Sequence, residues 1–536
     1  MENKKYNPYL PIYFSLVLIA GVLLGIWLGN RGGNFFLKQK QPDKLNEVLN
    51  YVGDNYVDTL SRSVLEGKAI SGLLQGLDPH SAYISAEEFH EATDPLLGSF
   101  EGIGVQFRIE NDTVAVILPI SGGPSEKLGI RAGDRIVKIN GINIAGVKIS
   151  NNEVMRKLKG PKGTEVNVKI FRRGVAGLLD FTITRDVIPT YSMDIAYMPW
   201  PGIGYIRLNN FSASTHDEVH HALENLLSEG MKKLILDLRG NGGGYLQAAI
   251  DVADEFLPKD ALIVYTEGMH HPREIAYATR NGLFEKGDLI VMVDESSASA
   301  SEIVAGAIQD NDRGVIVGRR SFGKGLVQEQ LSFKDGSAVR LTVARYYTPT
   351  GRCIQRSYKD GIEAYNNDFY HRVLSGELDN ADSIKFPDSL KYTTPKGKIV
   401  YGGGGIMPDI YIPIEKDTSL RYYNTVINKG LVYQYAFDYT DRNRQQLRRF
   451  KSVEQFEQGF SISDAMFAGF VRYAESKGVK RTGKDLAKSD RYIRIMLRAY
   501  IGRNILDNEG FYPILNTIDP AFLKAVNESK KTTITH

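Results

Sequence analysis

The residues whose types and spacing could do chemistry sit in one stretch, Ser296 to Gln330, SSASASEIVAGAIQDNDRGVIVGRRSFGKGLVQEQ. Ser297, Ser299 and Ser301 alternate with alanines. Lys324 follows between two glycines, and Gln328 lies just beyond it. Serine is a poor nucleophile unless a base takes its proton. Lysine can be that base only when neutral. Its free pKa of about 10.4 must then fall roughly three units, worth roughly 4 kcal/mol of differential stabilisation. Burial or a second cation has to supply this. The chemistry expected is a Ser–Lys dyad, with the serine undecided among three.

Such a pair needs elements to present it. Leu289 to Val293 is an apolar run that reads as a buried strand, and Glu302 to Ile308 reads as a helix. A residue at the turn between them has its side chain in the open and helix N–H groups behind it, which suits a developing oxyanion. Gly314 to Gly318 reads as a second strand leading to Lys324. Upstream, strands at Gly204–Leu208 and Lys233–Leu238 alternate with helices at 215–229 and 246–256. The fold class expected is α/β (α+β) and multidomain, with helices packed on a sheet. Between Leu238 and the second helix lies Arg239-Gly-Asn-Gly-Gly-Gly244. Gly243 and Gly244 are read as one half of an oxyanion hole at the same sheet edge as the serines. The other half is the N–H just after the nucleophile, at Ala300.

The chain has 536 residues, enough for several domains, and a net charge of only +3. Nothing in that balance points to nucleic acid. The single cysteine, Cys353, has no base nearby in sequence and is read as inert. Leu10 to Leu28 carries no charge. As a helix it would reach roughly 28 Å, a bilayer core. No small-x-small cleavage site follows, so an uncleaved anchor is expected rather than a signal peptide. Lys4 and Lys5 before it, against Arg31, Lys38 and Lys40 after it, leave the orientation open. Gly32-Gly33 opens a short linker. The domain boundaries expected are 1–34 for the anchor, 35–96 helical, 97–186 a small β domain, 187–415 the α/β core, and 416–536 a helical extension.

In the β domain, Gly102-Ile-Gly-Val105, Ala132-Gly-Asp-Arg-Ile136 and Ile139-Asn-Gly141 resemble a PDZ domain in order and spacing. Such domains bind an extended C-terminal peptide by strand addition. The resemblance implies a carboxylate-binding loop at Gly102, Ile103, Gly104 and Val105. Val154 and Leu158, on the following helix, are then expected to line the groove.

Three other motifs suggest rival chemistries. Gly318-Arg-Arg-Ser-Phe-Gly-Lys324 matches the start of a phosphate-binding loop, but Gly325 replaces the hydroxyl residue and strand, not helix, follows. Arg239 to Gly244 resembles a dinucleotide turn, without a clear acidic residue to complete it. His216-Asp-Glu-Val-His220 has metal-ligand spacing on a helix, with His221, His270 and His271 as further donors. Asp217 stands where a zinc protease motif has Glu. A solvated amphipathic helix explains the same pattern, and no metal and no cofactor are expected. His80, beside a proline in Leu77-Asp-Pro-His-Ser-Ala-Tyr83, is read as structural.

The set Asp237-Leu-Arg-x-Asn-x-Gly-Gly244, Ser297-Ala-Ser-Ala-Ser-Glu302 and Phe322-Gly-Lys-Gly325 with Gln328 resembles the C-terminal processing peptidases, the tail-specific serine proteases. Leu77 to Tyr83 and Tyr347-Thr-Pro-x-Gly-Arg352 fit as well. The resemblance covers about residues 40 to 415. It implies Ser299 as nucleophile, Lys324 as general base and Gln328 as the residue orienting the lysine. Glu302 and Asp310 fall at supporting positions and are read as structural. Ser321 stands where the family often has threonine. The implied function is a serine endopeptidase of the bacterial cell envelope. Its PDZ-like domain would hold unfolded C-terminal tails of protein substrates. It would be a single-pass inner-membrane protein with its catalytic part in the periplasm, or periplasmic after signal cleavage. A homo-oligomer or an adaptor is left open. The alternative is a non-catalytic, membrane-tethered PDZ scaffold.

Overall fold

The computed structural model describes residues 9–31, 43–279, 282–414, 420–481 and 483–531. They form two compact units, 1–76 and 77–536. The first contains three helices, Leu10–Arg31, Lys44–Asn55 and Arg62–Gln75. Asp43 and Ser61 accept the N–H groups of Asn46 and Val64 and so cap the second and third helices. The Arg62 guanidinium ties those two helices through Asn46 and Asn50.

In the first helix the described side chains, 11–27, are exposed all round. Among the described residues no helix is long and apolar enough to cross a membrane. The expected anchor is therefore not shown. The side chains of Leu10 and of residues 28–31 lie outside the described set, as do Lys4, Lys5, the Gly32-Gly33 linker, Lys38 and Lys40.

The second unit opens with a short strand and helix. A two-stranded ribbon follows, Ser99–Gly102 against Asp186–Pro189. The β domain leaves and returns through this ribbon. Its strands Val105–Glu110, Thr113–Pro119, Arg135–Ile139, Glu165–Phe171 and Leu178–Thr184 lie in that order, all antiparallel. The alternation in Glu165–Phe171 puts Val166, Val168 and Ile170 into the core, with Lys169 outside. Helix Asn151–Leu158 closes the domain, its N-terminus held by reciprocal bonds between Ser150 and Glu153.

The α/β core is a six-stranded sheet in the order Met193–Trp200, Ile203–Leu208, Lys233–Asp237, Asp288–Val293, Val315–Gly318 and Ile410–Tyr411. The first pair is antiparallel and the rest parallel. A parallel sheet must be covered on both faces. Leu234 and Leu236 point to helices Thr215–Ser228, Leu246–Asp254 and Ala300–Asp310. Ile235, Ile290 and Met292 point the other way, onto Phe522 and Ala525 of the last helix, Pro520–Lys531. The helical extension thus ends inside the α/β core, a packing that its amphipathic pattern alone did not reveal.

A second, antiparallel sheet carries Ala82–Ile84, Ala338–Tyr347, Leu262–Glu267 and Glu274–Tyr277, with Leu326–Ser332 also on Ala338–Tyr347. Ala82–Ile84 comes from the stretch expected to be helical. The remaining C-terminal helices surround an aromatic core that includes Phe450, Phe456 and Phe470. One of them, Leu431–Leu447, packs on the β domain: Asp441 meets Arg135 at 3.3 Å, and Arg108 lies 4.4 Å from the centre of the Tyr433 ring.

Candidate active site

Strand Asp288–Val293 is buried along its whole length and delivers the serine turn to the edge of the main sheet. The three serines then part company. Ser297 is buried and donates to Leu238 C=O at 2.8 Å. Ser301 is buried and donates to Asn241 C=O at 2.9 Å. Ser299 is half-buried; its oxygen faces the Glu302 N–H at the helix N-terminus, and among the described residues its hydroxyl donates to no group. It also holds φ 53° and ψ −112°, a conformation that a residue with a Cβ rarely adopts. The strain sits at the N-terminus of helix Ala300–Asp310, where the N–H of Ala300 is without a partner among the described residues.

Glu302 binds this turn to the lysine loop. Its carboxylate is fully buried. Oε2 accepts the backbone N–H of Ser299 and of Lys324, both at 2.8 Å. Oε1 accepts the Gly323 N–H at 2.7 Å and the Ser321 hydroxyl at 2.5 Å. Burial pushes the Glu302 pKa up, and these donors pull against it. Tyr346, also buried, brings its hydroxyl to the carbonyls of Lys324 (2.7 Å) and Ser299 (3.2 Å). Sequence reasoning assigned Tyr346 no role, because nothing local links it to the serine turn.

Lys324 is half-buried, and among the described residues no carboxylate lies within ion-pair distance of its amine. Burial lowers its pKa, and the Arg340 cation adds to this; Glu302 and Asp78 oppose it. Gln328 follows a β-bulge, which re-aims its side chain. Its amide nitrogen lies 3.4 Å from the Thr342 hydroxyl, which in turn donates to Asp78 at 3.1 Å. Asp78 also accepts the N–H groups of His80 and Ser81. The Leu77–Tyr83 segment therefore lies beside the lysine. His80 meets the Tyr365 hydroxyl at 2.8 Å. Burial, and then the Lys324 cation, push the His80 pKa down to about 4.

Gly243 is pressed against the serine turn. A Cβ there would lie 2.8 Å from Ser299 Cβ and 2.9 Å from Ala300 N, so the close approach requires glycine. Its N–H, however, donates to Asn241 Oδ1 at 2.9 Å. The expected pairing of Gly243 and Ala300 N–H groups is thus not assembled in this structure. The Gly244 N–H is without a partner among the described residues.

In the β domain, the N–H groups of Ile103 and Gly104 have no partner among the described residues, and strand Val105–Glu110 is at the sheet edge. Gly104 needs its φ of +70°. Val154 and Leu158 are corrected: both are buried in the domain core with Ile136 and Val166 and line no open groove. The same periodicity serves a core face and a groove face, and here the core takes both.

The phosphate-loop reading falls, because Leu326–Ser332 is a strand and the three N–H or O–H groups at 321–324 point into Glu302. Behind the glycine-rich turn, the fully buried Asp237 accepts from the partly exposed Arg207 and Arg239 and from the buried Tyr205 hydroxyl, a network that holds the turn.

Residues 202–364 match the model of peptidase family S41, residues 116–172 match that of the PDZ domain, and residues 422–507 match a family of unknown function. The chain is 39% identical over 321 residues to a carboxy-terminal-processing protease of Bartonella bacilliformis, covering 59% of this chain and 73% of that one. It is 34% identical over 362 residues to the carboxy-terminal processing protease CtpA of Bacillus subtilis, covering 66% and 76%. A carboxyl-terminal-processing protease of Synechocystis is 37% identical over 370 residues, covering 65% and 85%.

Proposed function

The chain belongs to the carboxy-terminal processing serine proteases, and on that premise we propose that it cuts peptide bonds with Ser299 as nucleophile and Lys324 as general base. The observation that carries this reading is the selection among the serines. Ser299 alone of the three gives its hydroxyl proton to no carbonyl among the described residues, in a strained turn tied through one carboxylate oxygen to the loop of a half-buried lysine.

Ser299 Oγ forms a bond to the scissile carbonyl carbon, and its proton passes to neutral Lys324 Nζ. The carbonyl oxygen becomes an oxyanion beside the Ala300 N–H. A second donor comes from Gly244, or from Gly243 once it leaves Asn241. The C–N bond then breaks, and the amine leaves with the proton from Lys324. Water adds to the acyl-enzyme, giving a proton to Lys324, and the acid leaves as Ser299 recovers its own. Gln328 steadies the lysine from its bulge.

The substrate is an unfolded protein tail. Its last residues add to the edge strand Val105–Glu110, with the terminal carboxylate at the N–H groups of Ile103 and Gly104. The uncharged run 10–28, helical and exposed all round where described, tethers the chain to the bacterial inner membrane with the catalytic part in the periplasm. The orientation rests on the family resemblance.

The test compares full-length wild type, Ser299→Ala and Lys324→Ala on an unfolded substrate with an apolar C-terminus. Each variant should lose at least about a thousandfold in kcat, while Ser299→Ala still binds the tail. Cleavage that survives Ser299→Ala would overturn the assignment. No cleavage by wild type, with tail binding intact, would favour a scaffold. Fractionation with externally added protease tests the tether.

A further inference from the structure

We propose that His216, His220 and Glu255 form a binding site for a divalent transition metal of the zinc type, separate from the peptidase chemistry. His216 and His220 stand one turn apart on helix Thr215–Ser228, with ring centres 5.7 Å apart. Glu255, at the end of helix Leu246–Asp254, is only 2% exposed, yet its Oε1 is aimed at both rings. That oxygen lies 2.9 Å from His216 Nε2 and 2.7 Å from His220 Nδ1. The three donor atoms fall within 4.8 Å of one another. A zinc ion holds nitrogen and oxygen ligands at about 2.0–2.2 Å. Tetrahedral coordination therefore asks each side chain to move by under about an ångström.

What lies behind the imidazoles argues for a metal as well. The other nitrogen of His216, Nδ1, is 3.7 Å from Asp217 Oδ1. The other nitrogen of His220, Nε2, is 3.8 Å from Glu224 Oε1. A metal-ligating histidine commonly turns its remaining N–H to a carboxylate, which fixes the tautomer and raises ligand basicity. When the ion binds, each neutral imidazole keeps its proton on the nitrogen facing its acidic neighbour and gives its other lone pair to the metal. Two imidazoles and one carboxylate form a borderline donor set that suits zinc, not calcium or magnesium, which prefer oxygen throughout. The rings are about one-third exposed, at 38% and 33%, so an ion can enter from solvent and water can take the fourth position.

The ion would join parts far apart in the chain. Glu255 Oε2 accepts the Leu283 N–H at 2.9 Å, and the Glu255 carbonyl accepts the Phe284 N–H. A metal here staples helix Thr215–Ser228 to the end of Leu246–Asp254 and to the chain leading into the central strand Asp288–Val293. Asp217 in place of glutamate removes the general base of a zinc protease, so the role is structural.

The test strips the full chain with chelator, removes the chelator by dialysis, and titrates zinc chloride by calorimetry and thermal unfolding. One site is expected, with a zinc-dependent rise in Tm. His216→Ala, His220→Ala and Glu255→Gln should each weaken binding by about a hundredfold and abolish the rise, while a His270→Ala/His271→Ala variant binds as wild type. His220→Asn, which keeps a polar group against Glu255, guards against loss through misfolding. Cobalt(II) in place of zinc should give the intense visible bands of a four-coordinate ion. Wild type that binds no zinc, or His216→Ala and His220→Asn that bind it unchanged, would overturn the proposal and leave a hydrogen-bonded cluster. The readout is metal binding, so it is independent of whether Ser299 and Lys324 are the catalytic pair.

Discussion

Ser299 and Lys324 donate their backbone N–H groups to the same carboxylate oxygen, Oε2 of Glu302, at 2.8 Å each. The serine turn and the lysine loop come from opposite ends of a helix and a strand, and one buried atom sets their spacing. The other oxygen receives two further donors, so the site calls for the ionised form.

Replacing Glu302 with glutamine tests this directly. An amide NH2 would face N–H groups that need an acceptor, leaving buried donors unsatisfied. The expected result is a fall in kcat of about a hundredfold or more with KM little changed. A loss of about 2–4 kcal/mol in stability should accompany it. Steady-state kinetics with urea unfolding checks both; a variant with near-wild-type kcat would show that the shared oxygen does not position the pair.

The pH profile should report Lys324. A base must be neutral, so kcat/KM should rise with pH through an apparent pKa below that of free lysine, since burial lowers it. The Arg340 cation pushes the same way. Arg340→Met therefore removes a force that favours the neutral amine, raises the lysine pKa and moves the activity limb to higher pH. A limb that stays put, or moves to lower pH, would contradict this assignment.

His80 makes a separate prediction about stability. Its pKa is pushed from 6.5 to about 4 in the folded chain. Above pH 6.5 it is neutral in both folded and unfolded states and contributes no pH dependence. As pH falls from 6.5 to 4, the unfolded chain takes up a proton that the folded one refuses, and stability drops. The loss is on the order of 2 kcal/mol after allowance for solvent screening. Urea midpoints of wild type and His80→Gln across this window should converge toward the acid end; parallel curves would remove His80 as the cause.

Asp310 and Arg352 form an ion pair with both side chains fully buried, at 2.6 Å. Asp310 also accepts from Thr348 and Thr350, and so pins the end of helix Ala300–Asp310 to the loop after strand Ala338–Tyr347. Asp310→Ala leaves a buried cation alone and should cost about 3–5 kcal/mol. Activity should fall with the folded fraction, which circular dichroism can separate from a catalytic effect.

Asp441 faces Arg135 and Arg173 across the junction between the PDZ domain and helix Leu431–Leu447. Asp441→Ala should leave both cores intact, since neither packs around this group. It should raise hydrogen exchange in strands Val105–Glu110 and Arg135–Ile139 while moving the global unfolding midpoint little. Unchanged exchange would mean that Arg108 on Tyr433 and the surrounding apolar packing hold the junction unaided.

The proposed chemistry of this chain draws, in its sequence, on features that depend on neighbours along the chain. Alternating serines after an apolar run, a glycine-flanked lysine and a glutamine just beyond it read as a dyad. The glycines at 102, 104 and 141 read as PDZ turns. Residue type and spacing set those features, because strand, turn and helix geometry act over a few residues. The local pattern left Ser297, Ser299 and Ser301 equivalent, and only the family resemblance implied Ser299. The physical contacts that separate them come from the tertiary structure, because the acceptors of Ser297 and Ser301 are carbonyls of Leu238 and Asn241, brought alongside by the parallel register of two strands. Packing likewise sent Val154 inward, since one helical stripe serves a core or a groove equally well. It also set the buried carboxylate of Glu255 against two histidines whose pattern read as a solvated face. Contacts of that kind depend on which faces the core brings together, and local periodicity carries no record of the partner.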